Sequence, residues 1–427
     1  MYRLLTLNSN RSWKIAGIAV RSALALGINL QNVSPAITDI SKEIRCRVWW
    51  SLYTVEHILA SMTGRSTCIT GACTVSLPIP YGEERFGEDE VIQLLRVSEL
   101  RNSRFQSTVS RLSSITCPPS SLGQSTSGSN GHSTHRAQST CRAELPTSIT
   151  PDHASYFYYY VDLILLTREV IGSLYTPEIV QNSTIDVERT INTLSWKVDT
   201  WLANLPEVYD FTTGQKNQHF SNQRLSLALH YYGTKIAITR PCICQLDGQA
   251  SSNTGSRDFI QKTAIQSIRS ACSILDLIPD DPDAIWLNIN TPWWCVLHFL
   301  MQATTVLFLE LSFRVVHLPH EANNILAKTK KAIRWLYHLS GESNAAHRAW
   351  ILCDDIIRQL APTIGLDISD LPLRLPAEEV IDFDIFGSFP VYPDLPVSPW
   401  ENALTSSLSL NPQVELLPAS GSQEIQV

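Results

Sequence analysis

EIRCRVWWSLYTVEHILASMTGRSTCITGACTVSLPIP, residues 43–80, reads as a helix running into a fixed turn. Val48, Leu52, Val55 and Leu59 recur at i, i+4, i+7 and i+11, which predicts one apolar helix face. Trp49 and Tyr53 broaden that face, and Glu43, Arg45 and Arg47 keep its first turns polar. Gly64 stands where a helix end wants a residue free to take positive φ. Pro78 and Pro80 then forbid helix and impose extended backbone. No acid, base or nucleophile in the stretch has a catalytic setting; its reading is architectural.

The same residues carry a resemblance. WWSLYTVEHILASMTGRS followed by SLPIP resembles the signature of the fungal-specific transcription factor domain. That domain is the middle regulatory region found downstream of a zinc binuclear-cluster or other zinc-finger DNA-binding module. Trp49, Trp50, Ser51, Leu52, Tyr53, Gly64, Arg65, Leu77 and Pro78 match the family pattern. Glu56 and His57 stand in for its Asp-Arg pair, and Ser66 for a Pro. Glu56 keeps the acid, and the resemblance points to Glu56 with Arg65 as a structural pair between helix and turn. His57, mostly neutral near pH 7, weakens any fixed ion pair of its own. Asn10, Arg11, Trp13, Gly17, Ala19, Arg21, Ala23, Leu26 and Gly27 are similar to the segment that precedes the family's Trp-Trp helix. A further match lies at Leu227, Leu229, Tyr231, Ile236, Arg240 and Pro241. The resemblance begins almost at Met1, which implies that the first part of the domain and the DNA-binding module, with its zinc, lie outside this chain.

Composition supports a non-nucleic-acid surface. Across 427 residues, 33 Lys and Arg face 40 Asp and Glu, a formal net charge of −7. The chain is 44% hydrophobic and 17% charged, enough for a sizeable core. Ten cysteines occur without a single C-x2-C pair, which argues against a zinc finger within the chain. They read as reduced cysteines of an intracellular protein, and the N-terminal apolar run is too short for a secretory signal.

Along the chain, residues 1–106 read as the N-terminal part of a helical regulatory domain. Residues 107–151 change to a Ser/Thr-rich composition that cannot bury enough surface to order itself, and are expected to be a disordered insert. Cys117, His132, His135 and Cys141 fall there, at spacings that fit no zinc module. Residues 152–366 resume helical periodicity. Leu225, Leu229, Tyr232 and Ile236 form a core stripe, with Arg240 at the helix end. Arg240 reads as a cap on free carbonyls, the alternative being a partner for a ligand carboxylate or phosphate. Asp280, Asp281 and Asp283 around Pro282 read as a solvated turn. The run 293–313 is long enough to span a bilayer, but His298, Gln302 and Glu310 interrupt it, which favours a central buried helix and no membrane partner. Residues 367–427 form an acidic, Pro-rich tail, expected to be disordered. Glu378, Glu379, Asp382, Phe383, Asp384, Phe386 and Phe389 have the acidic-hydrophobic interleaving of an activation segment; a tail packed across the bundle is the alternative.

The expected fold is all-α, a multi-helix array with a disordered insert and a disordered C-terminal tail. No Walker loop, G-x-G-x-x-G, nucleophile elbow or H-E-x-x-H motif occurs, so no catalytic or metal residue is assigned and no enzyme is expected. The expected function is the regulatory region of a nuclear transcription regulator, answering coactivator or regulatory proteins and a small-molecule effector. No cofactor is expected in this chain. DNA would be reached only through the separate module. The alternative is a helical small-molecule-binding module without a direct role in transcription, with Trp49, Trp50, Tyr231 and Trp293 lining its cavity.

Overall fold

The computed structural model describes residues 9–69, 71, 73–113, 151–176, 183–212, 220–243, 254–341 and 343–373. Among the described residues there are thirteen α-helices, three short 3-10 turns and no strand. They run α1 (Ser9–Ala25), α2 (Asp39–Thr63), α3 (Asp89–Arg96), α4 (Ser98–Arg104), α5 (Thr108–Leu112), α6 (His153–Leu174) and α7 (Thr184–Ala203). Then follow α8 (Ser221–Ile243), α9 (Thr254–Asp276), α10 (Ala284–Asn290), α11 (Trp293–Ser312), α12 (Ala322–Leu339) and α13 (Asn344–Ile364). The all-α expectation is met.

Helix α2 starts and stops on the signals its sequence carries. Thr38 takes extended backbone and its hydroxyl accepts from the Ser41 amide. Gly64 sits at φ 65°, donating to the Ser61 carbonyl at 3.4 Å, while the Arg65 amide returns to the Ala60 carbonyl at 3.0 Å. This pair of bonds is a Schellman closure. The buried face, however, is not the expected stripe. Cys46, Trp49, Trp50, Tyr53, Leu59 and Ala60 are buried, whereas Val48 is 43% exposed. Large aromatics bury far more area than Val, so the helix rotates to put Trp49, Trp50 and Tyr53 inward. Glu43, expected on a polar first turn, goes with them and is 0% exposed.

Two hydrophobic clusters share one central helix. The first gathers α2, α6, α7 and the extended stretch around Leu77–Tyr81. The second gathers α9, α11, α12 and α13. Helix α8 belongs to both. Leu227, Tyr231 and Ile238 face the first cluster, while Leu225, Leu229 and Ile236 face the second. Its expected single stripe is therefore half of a helix buried on two sides. Close approach is possible because Gly233 has no side chain: a Cβ there would lie 2.6 Å from the Phe299 ring of α11. Helix α8 runs past Arg240, expected at its end, and through Pro241 to Ile243. Pro241 has no N–H for the Ala237 carbonyl four residues back, and the Tyr175 hydroxyl donates to that carbonyl instead, at 2.6 Å.

Helix α11 has the length and apolarity of a bilayer span, yet more than half of the apolar window is buried inside the fold, at 56%. Its one carboxylate is buried with it and is satisfied by protein groups. Glu310, 0% exposed, accepts from the His317 and Leu318 amides and sits 2.5 Å from His317 Nδ1, so it caps the turn that follows the helix. Asp283 caps α10 by accepting from the Ile285 and Trp286 amides, and Asp280 pairs with Lys331 at 2.7 Å, so the acidic turn is structural.

Two boundaries shift. Residues 107–113, assigned by composition to the insert, include α5. That helix is held by buried Asp162, whose carboxylate accepts from the Thr108 amide and hydroxyl, each at 2.7 Å. Composition could not show this, because the partner lies more than fifty residues away. Likewise residues 367–372, read as the start of the tail, pack with the helical unit: Asp370 pairs with Lys330 at 2.5 Å, and Arg358 donates to the Pro372 carbonyl at 2.9 Å. Residues 114–150 and 374–427 lie outside the described residues. That includes Cys117, His132, His135 and Cys141, and the activation segment Glu378, Glu379, Asp382, Phe383, Asp384, Phe386 and Phe389.

Candidate functional site: the groove under the Trp-Trp helix

An extended segment outside a sheet must still satisfy its backbone polar groups. In residues 76–81 the side chains of α2 and α4 do this. Pro78 and Pro80 carry no N–H, and the one amide between them, Ile79 N–H, donates to Glu43 Oε1 at 3.1 Å. Trp50 Nε1 donates to the Ser76 carbonyl at 2.8 Å. Arg101 Nε donates to the Leu77 carbonyl at 3.0 Å, and Arg47 Nη2 to the Tyr81 carbonyl at 2.5 Å. Glu43 holds both cations: Arg47 Nε is 3.0 Å from Oε1, and Arg101 Nη2 is 2.7 Å from Oε2. The Arg101 contact lies off the hydrogen-bonding direction, since that guanidinium also donates to Leu77. Charge holds it instead. The Ser-Leu-Pro-Ile-Pro run is thus clamped onto α2 by a buried carboxylate and two guanidiniums. Burial and Glu43 together push the neighbouring Cys46 thiol up to about 12, which keeps it protonated.

The expected Glu56–Arg65 pairing is replaced by another arrangement. Glu56, 0% exposed, accepts from the Cys68 amide at 2.8 Å, while Arg65 lies over the Trp13 ring at 4.7 Å. Glu56 therefore locks helix to turn through backbone, and Arg65 ties α1 to the end of α2. Arg240 stacks over Tyr175 at 5.4 Å, in the last turn of α8, and Tyr175 donates to the Ala237 carbonyl at 2.6 Å.

Beside the clamp opens a groove of about 660 Å³. One wall is Trp50 and Tyr53 with Leu77; the other is Phe105 and α5 with Leu165 and Arg168 of α6. Trp50 and Tyr53 meet with ring centroids 5.1 Å apart, tilted at 59°. Arg168 Nη1 donates to the Tyr53 hydroxyl at 2.8 Å and its guanidinium lies 5.6 Å from that ring. Burial raises the Tyr53 pKa and Arg168 offsets part of the rise. Next to Arg168, Glu169 pairs with Lys197 at 2.6 Å through Oε1, while Oε2 is buried with no hydrogen-bond partner.

A second, smaller cavity of about 60 Å³ lies where α2, α6, α8 and α11 meet. His57, His230 and His298 line it, and burial pulls each imidazole down to about 4, so all three are neutral near pH 7. His230 Nδ1 is 2.8 Å from the Ser226 carbonyl and its Nε2 is 3.1 Å from the Tyr160 hydroxyl, which sets the tautomer with the proton on Nδ1. Among the described residues, no group of three or more His, Cys, Asp or Glu is placed to hold a metal ion.

The four aromatics expected to line one cavity are dispersed. Trp50 lines the groove; Trp49 is core and donates to Cys73 Sγ at 3.0 Å; Tyr231 stacks on Trp201 at 6.2 Å; Trp293 packs against the second cluster. Sequence reasoning missed Arg101, Arg168 and Glu169. Each sits in an ordinary-looking polar position, and only the fold brings it to the segment it serves.

Residues 1–203 match the model of the Fungal specific transcription factor domain, and they include α1, α2, the clamp and the groove. The chain is 35% identical over 420 residues to the "Transcription regulator galc" of Aspergillus niger, covering 89% of this chain and 48% of that protein. It is 32% identical over 80 residues to the "Thiamine repressible genes regulatory protein thi1" of Schizosaccharomyces pombe, 19% of this chain and 10% of that one. It is 38% identical over 72 residues to the "Negative regulator of pleiotropic drug resistance STB5" of Candida glabrata, 16% of this chain and 7% of that one. The chain spans about half the length of the Aspergillus niger relative and less of the others. No solved structure matches it. These three relatives carry names of transcription regulators, and none carries an enzyme's name. The Trp-Trp helix, its Gly64 closure and the clamped Leu77–Pro78 segment all lie inside the residues that match the model of the Fungal specific transcription factor domain.

Proposed function

We propose that this chain is the non-catalytic regulatory region of a fungal transcription regulator, acting in the nucleus. The observation that carries the reading is similarity to a protein named a transcription regulator that extends beyond the matched domain, over 89% of the chain. The helical unit receives a coactivator, a regulatory protein or a small effector. The acidic-hydrophobic residues Glu378, Glu379, Asp382, Phe383, Asp384, Phe386 and Phe389 serve as the activation segment. DNA contact and zinc belong to sequence outside residues 1–427, in keeping with the net charge of −7.

Fusing residues 1–427 to an unrelated DNA-binding domain and measuring a reporter in yeast tests this. The expected result is a change in transcription that is lost on deleting 374–427. A fusion indistinguishable from the bare DNA-binding domain refutes it, and tight sequence-specific binding of duplex DNA by the purified chain refutes the division of labour. The groove favours a second reading, a helical small-molecule-binding module with no direct role in transcription. That reading gains if ligand binds while the reporter stays silent.

A further inference from the structure

We propose that the cavity between residues 28–33 and helices α2, α3 and α4 binds a small organic anion. It measures about 270 Å³, the space of ~9 waters at ~30 Å³ each, and so fits a molecule of about that many heavy atoms. Its charged lining is Lys42, Arg45, Arg96 and Arg101 against one carboxylate, Asp39. That carboxylate is shared, 3.1 Å from Lys42 and 3.7 Å from Arg96. Arg101 in turn shares Glu43 with Arg47, so the clamp also keeps one positive charge in excess. Arg45 has no carboxylate partner among the described residues; its Nη2 donates to the Leu26 carbonyl at 3.0 Å. A surplus of cations thus gathers in one place on a chain whose net charge is −7. The cations are within reach of a ligand, since the Lys42 and Arg96 side chains are 27% and 71% exposed and Arg45 is half-buried. A guanidinium without a counter-charge is best matched by ionised carboxylate or phosphate oxygens. Ile28, Val75 and Leu95 line the rest of the cavity, which suits an anion carrying a carbon frame. Because Lys42 and Arg45 lie on α2 and Arg96 on α3, a bound anion ties the two helices together.

Any regulatory consequence of binding rests on the function proposed above; the binding itself does not. The test is calorimetry and thermal shift on the purified chain with cyclohexanecarboxylate, cyclohexyl phosphate and the uncharged cyclohexanecarboxamide. We expect saturable binding of an anion and a raised melting temperature, the tighter of the two anions identifying the head group. The amide should bind about tenfold more weakly or worse, the scale of a hydrogen bond to a charged group. Arg45→Gln should remove most of that preference. Asp39→Asn, which takes away the one acid of the lining, should tighten the anion by about two- to fivefold, the scale of an exposed ion pair. If Arg45→Gln unfolds, Asp39→Asn decides alone, because a damaged fold does not bind more tightly. Arg189→Gln on α7, a cation outside the cavity, should leave the affinity unchanged. Absence of binding by both anions, an amide that binds as well as they do, or an affinity unmoved in Arg45→Gln and Asp39→Asn overturns the proposal. So does a loss in Arg189→Gln equal to that in Arg45→Gln. A silent reporter with binding intact counts against the proposed function and leaves the cavity standing.

Discussion

Removing the carboxylate of Glu43 is the sharpest perturbation of the clamp. In Glu43→Ala the Ile79 amide loses its acceptor, and Arg47 and Arg101 lose their shared counter-charge. Glu43 is 0% exposed and Arg101 8% exposed, so water does not readily replace what is lost. Breaking a buried pair from one side costs about 3–5 kcal/mol. Two cations left facing each other put this variant toward the upper end. Glu43→Gln keeps an acceptor for Ile79 and loses the charge, so its cost should be smaller, ~2–3 kcal/mol. Glu43→Leu with Arg101→Met should cost clearly less than the sum of the two single changes, because the double variant leaves one fewer buried charge unpaired. Urea unfolding followed by fluorescence of the eleven tryptophans reads the stability. Maleimide labelling of Cys46 reads the local event, since its thiol lies 3.2 Å from the Ser76 carbonyl and is exposed when the segment lifts. A Glu43→Ala loss below about 1 kcal/mol, the scale of an exposed salt bridge, or strict additivity in the double variant, would refute the clamp as the support of the Leu-Pro segment.

Three further outcomes follow from the fold. His57, His230 and His298 have folded pKa values near 4 against 6.5 in the free side chain. Their contribution is therefore present above pH 6.5 and lost as pH falls toward 4. Asp162, raised to about 6, acts in the opposite sense and favours the fold on the acid side of its range. With three imidazoles against one carboxyl, melting temperature should drop between pH 6.5 and 4, and His230→Phe should flatten that slope; an unchanged slope in that variant counts against it. Gly233→Ala should destabilise by ~1–3 kcal/mol despite the better helix propensity of Ala, because its Cβ meets the Phe299 ring. A stabilised variant would show that α8 and α11 are not in close contact there. Gly64→Ala should cost ~1 kcal/mol for a left-handed φ of 65° with open space around it, and Gly64→Asn less; calorimetric melting of both variants checks this, and equal melting temperatures would dismiss the Schellman closure.

What the sequence determined by itself was local. Helix periods, Gly64 at the end of α2, and extended backbone at Pro78 and Pro80 depend on residues a few positions apart, so they are legible without a fold. The motif residues were legible as a family mark for the same reason. Tertiary structure decided which face of α2 turns inward, because that depends on the area Trp49, Trp50 and Tyr53 can bury against α6 and the Leu77 segment. It also decided that Glu43 goes inside, which requires Arg101 from α4 to arrive with an opposite charge. Glu56 took the Cys68 amide rather than Arg65 because a buried carboxylate is satisfied by whichever donor the turn brings within reach. The groove has no local signature at all. Its walls come from positions 50, 77, 105 and 165, and Arg168 and Glu169 acquire meaning only when packing sets them at its polar end.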